Sequence, residues 1–275
     1  MKPESELIKK TTGGDFEITA FIEGDPTGTG SAPLAAQILL AQVKGIAALH
    51  STLRVIREVK EGEGPPPGGY YHTLDWGRVF LPTNGSSIYI DCDHLELAMA
   101  EVWGARQHYA AMRAMFLIVR DAMDRVNAAL PPGQRLRVLL NNVDAHGNCF
   151  GTHLNFSCST GAFHNIVRHE HGRHIQFLAS WNATSMLLGQ GRAGSEDGKV
   201  SYQFSQRADF IDHLLSENTQ FPPGRPLVNA RNEAHTGINS GMARLHDIVH
   251  DNNLCQTGAV LKVGLMEIVL CMIES

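Results

Sequence analysis

The residues best equipped for chemistry crowd into one stretch, residues 83–96 (TNGSSIYIDCDHLE), with Glu101 just beyond. Ser87, Tyr89 and Asp91 alternate with Ile88 and Ile90, the period of a half-buried strand, so a hydroxyl, a phenol and a carboxylate share one face. Asp93, His94, Glu96 and Glu101 follow closely. That many ionisable groups beside an apolar strand point to a bound cation, because hard divalent ions recruit several oxygen ligands. A solvated strand end is the competing explanation.

Further groups with chemical potential lie elsewhere. Glu17 sits among apolar neighbours in DFEITAFIE, and a carboxylate turned toward a core needs a partner, which a metal would supply. His153 and Asn155 alternate on one face of a second strand pattern. Arg207 and Arg231 each close an apolar strand pattern, and guanidinium groups at strand ends suit phosphate oxygens through charge-assisted bonds, although either would serve equally in a structural ion pair. Zinc is not encoded around His169, His171 and His174: an H-E-x-x-H motif would need histidine at the position of Arg173.

Several elements must position these groups. The pattern predicts a first strand over residues 15–23, a helix from LAAQILLAQVKGIAAL, another strand over 53–59, and a breaker-rich loop over 61–69. Asn84-Gly85 predicts a tight hairpin in which both residues take positive φ. A long amphipathic helix covers residues 105–130 and stops at Pro131-Pro132-Gly133. Residues 137–142 and 152–157 read as two antiparallel strands, 177–188 as helix, 189–198 as loop, 200–204, 227–231 and 244–251 as strands, and 256–273 as an apolar helix interrupted by Lys262 and Glu267.

Composition bounds the class. A 275-residue chain with 43% hydrophobic residues can bury a substantial core. A net charge of -5 and a pI near 6.3 leave no polybasic footprint for nucleic acid or anionic membranes. Five cysteines without a C-x-x-C pair fit reduced thiols, and no apolar leader or uninterrupted membrane-length run is present, so the expected location is the cytoplasm. There is no P-loop, no G-x-G-x-x-G and no G-x-S-x-G.

The order of the motifs carries a resemblance. Thr83-Asn-Gly with Tyr89-x-Asp91, His94-x-Glu96, Asn141-Asn142-Val-Asp144, Gly151-x-His153-x-Asn155, Ser205-Gln-Arg207-x-Asp209, Asn229-x-Arg231-x-Glu233-x-His235, Arg244-Leu-His246, Asp251-x-Asn253-Leu254 and Leu261-Lys262-x-Gly264 follow one another as in the family of the Pup ligase and the depupylase. The resemblance implies an α+β, glutamine-synthetase-like fold: a curved, mostly antiparallel sheet with helices on its convex face, here one domain over residues 1–275 lacking the family's C-terminal part. It implies Asp91 as nucleophile or base, Glu17, Tyr89, Glu96 and His246 as metal residues, and Arg207, Arg231 and His153 on nucleotide or phosphate. Magnesium and ATP, or ADP or phosphate, are the implied cofactors. Gly64-Pro65-Pro66-Pro67 resembles the loop of the depupylase branch and tilts the expectation toward hydrolysis of a small amide, a C-terminal glutamine or an isopeptide.

This sequence departs from the family pattern in ways that reduce its charge. The family's Glu-x-Glu is matched as Glu17-Ile-Thr19, a nucleotide-contacting arginine is Ser87, a nucleotide-contacting threonine is Met99, the Glu of the His-Glu-Asn motif is Leu154, and a late acidic position is Gln256. Fewer carboxylates imply fewer magnesium ions. Because the family continues beyond this chain, a non-catalytic or split-enzyme subunit working with a second chain, and an ATP-dependent ligase, stand beside the hydrolase reading. A homo- or hetero-oligomer is expected, with the helix over residues 259–273 as its contact surface.

Overall fold

A computed structural model describes residues 10–27, 32–49, 78–81, 84–143, 148–168, 172–196, 199–218, 224–231 and 241–275. The expected strand at 53–59, the breaker-rich loop with its Gly64-Pro-Pro-Pro run, Asp144 and the histidines at 169 and 171 lie outside these residues. The fold is α+β and its strands pair mostly antiparallel. Two compact units share the chain: one holds Met1–Phe16, Glu101–Ala111 and Leu140–Ser275, the other Glu17–Ala100 and Met112–Leu139. Their boundaries fall inside strands and a helix rather than in a linker, so each unit is built from several chain segments.

The unit that contains Asp91 begins in β1 (Thr11–Glu23) and continues through α1 (Ala32–Leu49), β2 (Val79–Phe80), β3 (Ser87–Asp91) and β4 (His94–Trp103). It ends with most of α2 (Gly104–Ala129) and β5 (Arg135–Leu139). Its strand order is β1-β4-β3-β2, with β5 also antiparallel to the Thr19–Glu23 end of β1. Ile18, Leu39, Val43, Ile88, Leu97 and Met115 are buried and form its core. Met112, Val119, Ala122 and Val126 continue the buried side of α2 at helical spacing. Pro131-Pro132-Gly133 ends that helix, and Asn127 clamps the returning chain by accepting from the Leu136 N–H at 2.7 Å and donating to its carbonyl at 3.1 Å. Gly24 and Gly133 both have positive φ, and a Cβ on Gly24 would lie 2.2 Å from the Gly133 carbonyl, so this approach tolerates no side chain.

In the other unit the strand order is β11-β6-β1, from β11 (Met242–His250), β6 (Thr152–Ser159) and the start of β1, all antiparallel. Strand β6 alternates strictly: Thr152, Leu154, Phe156 and Cys158 are buried, while His153, Asn155, Ser157 and Ser159 lie on the partly open face. The core adds helices α3 (Thr160–Val167), α4 (Arg173–Ser185) and α5 (Gln256–Glu274) through Ile166, Leu178, Val263, Met266 and Leu270. Ser159 caps α3 by accepting from the Ala162 N–H. Buried Lys10 pairs with Glu274, whose other oxygen accepts from the Ser159 N–H at 2.6 Å, tying both ends of the chain to the start of α3.

Several sequence expectations change. The segment 189–198 is not a loop: β7 (Arg192–Glu196) forms a hairpin with β8 (Lys199–Gln203). β5 and β6 do not pair with each other but with successive stretches of β1. β9 (Ile211–Ser216) and β10 (Arg225–Asn229) run parallel, a long-range pairing that local pattern does not announce. The Asn84-Gly85 turn is not the two-residue type, because Gly85 alone of the pair has positive φ and the Leu81 N–H donates to the Ser86 carbonyl around a longer loop. The tight turn with two positive φ values is Cys92-Asp93, between β3 and β4. Finally, α5 is long and apolar enough to cross a membrane, with a mean hydropathy of 1.6, although Lys262 and Glu267 break its run. Its buried side packs in the core described above.

Candidate functional site

Two groups of ligand-type side chains form, one in each unit. In the first, Asp91 ends β3 immediately before the Cys92-Asp93 turn, where φ is 44° and 71°. The β3–β4 register sets Tyr89 across from Glu96, so Tyr89, Asp91 and Glu96 share a face. Glu17 comes from β1, the neighbour of β4. The carboxylate oxygens of Glu17, Asp91 and Glu96 lie within 4.8 Å of one another, with Glu96 buried and the other two half-buried. Three anions so close repel unless a cation joins them, and an all-oxygen donor set suits a hard ion such as magnesium. The field they create is felt by the neighbouring thiol: burial, then the Asp91 charge and hydrogen bond and the charges of Glu17 and Glu96, push Cys92 up to about 11. Cys92 Sγ donates to Asp91 Oδ1 at 3.5 Å.

Tyr89, expected with these ligands, is buried, and Arg78 stacks over its ring at 3.7 Å from the centroid while donating to Ser87 Oγ at 2.8 Å. Arg78 was not anticipated, since nothing in its local sequence sets it apart. Asp93 and Glu101, counted with the acidic cluster in the sequence, are exposed instead.

The second group joins Asp15 of β1, His153 of β6 and His246 of β11, whose ligand atoms also lie within 4.8 Å of one another. The sheet register builds it: Asp15 pairs with His153, and His246 pairs with Asn155 two residues further along. The two imidazoles meet edge to face, with centroids 5.2 Å apart. Burial holds both neutral. His153 falls well below its ordinary value, helped by His246, Arg207, Arg225 and Arg244, and His246 drops to about 3, helped by Arg244 and Arg231. Asp15 Oδ2 accepts from Asn155 Nδ2 at 3.0 Å, and Arg244 Nε donates to Asn155 Oδ1 at 2.8 Å. Sequence reasoning missed Asp15 because it paired Glu17 forward with Thr19. The usable signal was Asp15-Phe16-Glu17, two carboxylates on alternate residues of one strand, both on its half-buried face.

The arginines divide. Arg231 follows β10, is half-buried, and has its N–H held by Asn229 Oδ1 at 3.0 Å. Arg207, expected to face phosphate, is fully buried, and its Nη2 donates to the Ile248 carbonyl at 2.7 Å. A Cβ on Gly151 would fall 2.6 Å from Arg207 Nη1, so that glycine makes room for the guanidinium. Buried Asp251 anchors the same segment, accepting from Ser205 Oγ, from the Arg207 and Gln206 N–H groups and from the Gln190 N–H. Buried Lys262 completes the interior network by donating to the Asp251 carbonyl at 3.1 Å, and its burial lowers it to about 8. Asn142 is interior as well, donating to Gln190 and Gln206 and accepting from the Asn252 N–H.

Comparison with known proteins agrees with this architecture. The model of the Pup-ligase protein family matches residues 42–275. A Pup–protein ligase of Paenarthrobacter aurescens is 36% identical over 210 residues, covering 74% of this chain and 44% of its own. A depupylase of Acidothermus cellulolyticus is 34% identical over 204 residues, covering 73% and 38%. The solved complex of Pup with its ligase PafA superposes with a TM-score of 0.66 at 24% identity, covering 98% of this chain and 48% of PafA. PafA bound to ADP gives 0.57 at 24% identity, covering 82% and 51%. The chain thus spans less than half the length of the curated relatives, and the structural likeness establishes a shared glutamine-synthetase-like fold.

Proposed function

Because this chain belongs to the Pup-ligase family, we propose that it is an amide hydrolase of the depupylase kind, acting on a glutaminyl amide or an isopeptide, with Asp91 as its general base. The observation that carries the reading is the convergence of Asp91 with Glu17 and Glu96 in one half-buried cluster. In the reaction, Asp91 takes a proton from the attacking water while the water oxygen bonds to the amide carbonyl carbon. The C–N bond then breaks, and the amine departs with the proton that Asp91 returns. Glu17 and Glu96, with Tyr89 beside them, would hold magnesium. When bound, the ion neutralises the cluster and polarises a carbonyl or phosphoryl oxygen.

Nucleotide enters the proposal through the PafA relative solved with ADP, and Arg231 and His153 are the phosphate-binding groups we assign here. Arg207 supports that region from the interior. A protein substrate enters through the relative solved with Pup. Ligation is the second reading, favoured by the ligase names of most of the relatives compared; in that direction Asp91 would accept a proton from the incoming amine.

The test is hydrolysis of glutaminyl and isopeptide amides, with and without ATP, by wild type and Asp91→Asn. The near-isosteric change should cost about a hundredfold or more in rate, the scale of general base catalysis. An Asp91→Asn protein with the wild-type rate would overturn the assignment. A wild type that turns nothing over, yet alters the rate of a full-length relative, would make this chain a non-catalytic partner.

A further inference from the structure

We propose that Asp15, His153 and His246 form a binding site for a divalent transition ion of the zinc, cobalt or manganese class, and that magnesium is a poor occupant there. This rests on the family reading above and deepens it by naming the class of ion for this group of residues.

Three observations carry the inference. First, the donor set is mixed: one carboxylate and two imidazoles reach within 4.8 Å of one another. Magnesium prefers oxygen ligands and retains its waters, whereas imidazole suits the borderline ions of the first transition row, and two histidines with one carboxylate are a recurrent donor set for them. Second, the histidines lack other work. Neither ring nitrogen of buried His246, nor Nε2 of His153, has a hydrogen-bond partner among the described residues. Buried polar atoms of native proteins rarely go unpaired, so these nitrogens point to a ligand. Third, the geometry is fixed in advance. The three residues stand on neighbouring strands β1, β6 and β11, and Asn155, itself held by Arg244, orients the Asp15 carboxylate. Second-shell bonds of this kind usually contribute 10- to 100-fold to metal affinity. The carboxylate cluster of Glu17, Asp91 and Glu96 contains no nitrogen donor, so the two groups should select different ions.

The experiment uses the full chain stripped with a chelator and titrated with Co²⁺, read by visible absorption and by metal content after desalting. Wild type should take up cobalt with visible bands of nitrogen ligation, yield it to an equimolar amount of Zn²⁺ and retain it against a hundredfold excess of Mg²⁺. His246→Ala, His246→Gln and Asp15→Asn should each lose about a hundredfold in cobalt affinity, and Asn155→Ala about tenfold, with circular dichroism confirming that the variants fold. Glu17→Gln should leave the cobalt spectrum unchanged. Displacement of cobalt by magnesium, or equal uptake by the folded ligand variants, would overturn the proposal. Amide hydrolysis dependent on Asp91 is measured separately, so loss of ion selectivity and loss of the enzymatic reading are distinguishable.

Discussion

Glu96→Gln should make the metal-free protein more stable while weakening its response to magnesium. Glu96 is buried, with its carboxylate within 4.8 Å of those of Glu17 and Asp91. Two unit charges at that separation repel by about 3 kcal/mol at an effective dielectric of about 20. Glu96 takes part in two such pairs. Because water reaches the half-buried partners, the net relief on neutralising it is about 1–2 kcal/mol. For a chain of this size that corresponds to a rise of roughly 2–8 °C in melting temperature. Saturating magnesium acts oppositely, stabilising wild type by about 2.7 kcal/mol at a hundredfold excess over Kd, and Glu96→Gln by much less. The order of the two melting temperatures should therefore invert between chelator and magnesium. Calorimetry or thermal circular dichroism reads this directly. A Glu96→Gln protein that melts below wild type in chelator and shows the same magnesium shift would refute the reasoning, and would make Glu96 a structural hydrogen-bond acceptor.

Burial holds His108 at about 4, beside Thr12 Oγ1 and the Phe16 ring. Since the unfolded chain takes up that proton first, the stability from neutral His108 is complete above about pH 6.5 and lost as pH falls toward 4. The gap is worth about 3 kcal/mol. Urea unfolding across this window should be less pH-dependent in His108→Leu, and identical slopes would count against it. Magnesium should speed alkylation of Cys92 several-fold at fixed pH by neutralising the carboxylates that raise its thiol; an unchanged or slower rate would speak against cation binding at that cluster. Leu261, Leu265, Ile268 and Met272 form an exposed apolar stripe on α5, so light scattering should find an oligomer that Ile268→Glu weakens. A stable wild-type monomer at micromolar concentration would exclude that.

The amino-acid pattern alone determined most elements and the identity of the acidic cluster. Period-two alternation marks β3, β6 and the late strands because a strand's two faces meet different surroundings, and the apolar faces of α1, α2 and α5 follow from helical spacing. Asp91, Glu17 and Glu96 stand out because ionisable groups among apolar neighbours require an explanation. Tertiary structure decided everything that depends on which distant strands become neighbours. Local pattern does not encode that β5 and β6 both pair with β1, or that β9 and β10 run parallel, because strand partners are chosen by long-range packing. The tight turn moved from Asn84-Gly85 to Cys92-Asp93 because strand register, rather than turn propensity alone, set where the chain reversed. Arg207 reads as a phosphate ligand in sequence and is an interior donor in the fold, since its neighbours Ile248, Asp251 and Gly151 arrive from other segments. Asp15 acquires its meaning the same way: only the register of β1, β6 and β11 brings its carboxylate to two histidines that lie far along the chain.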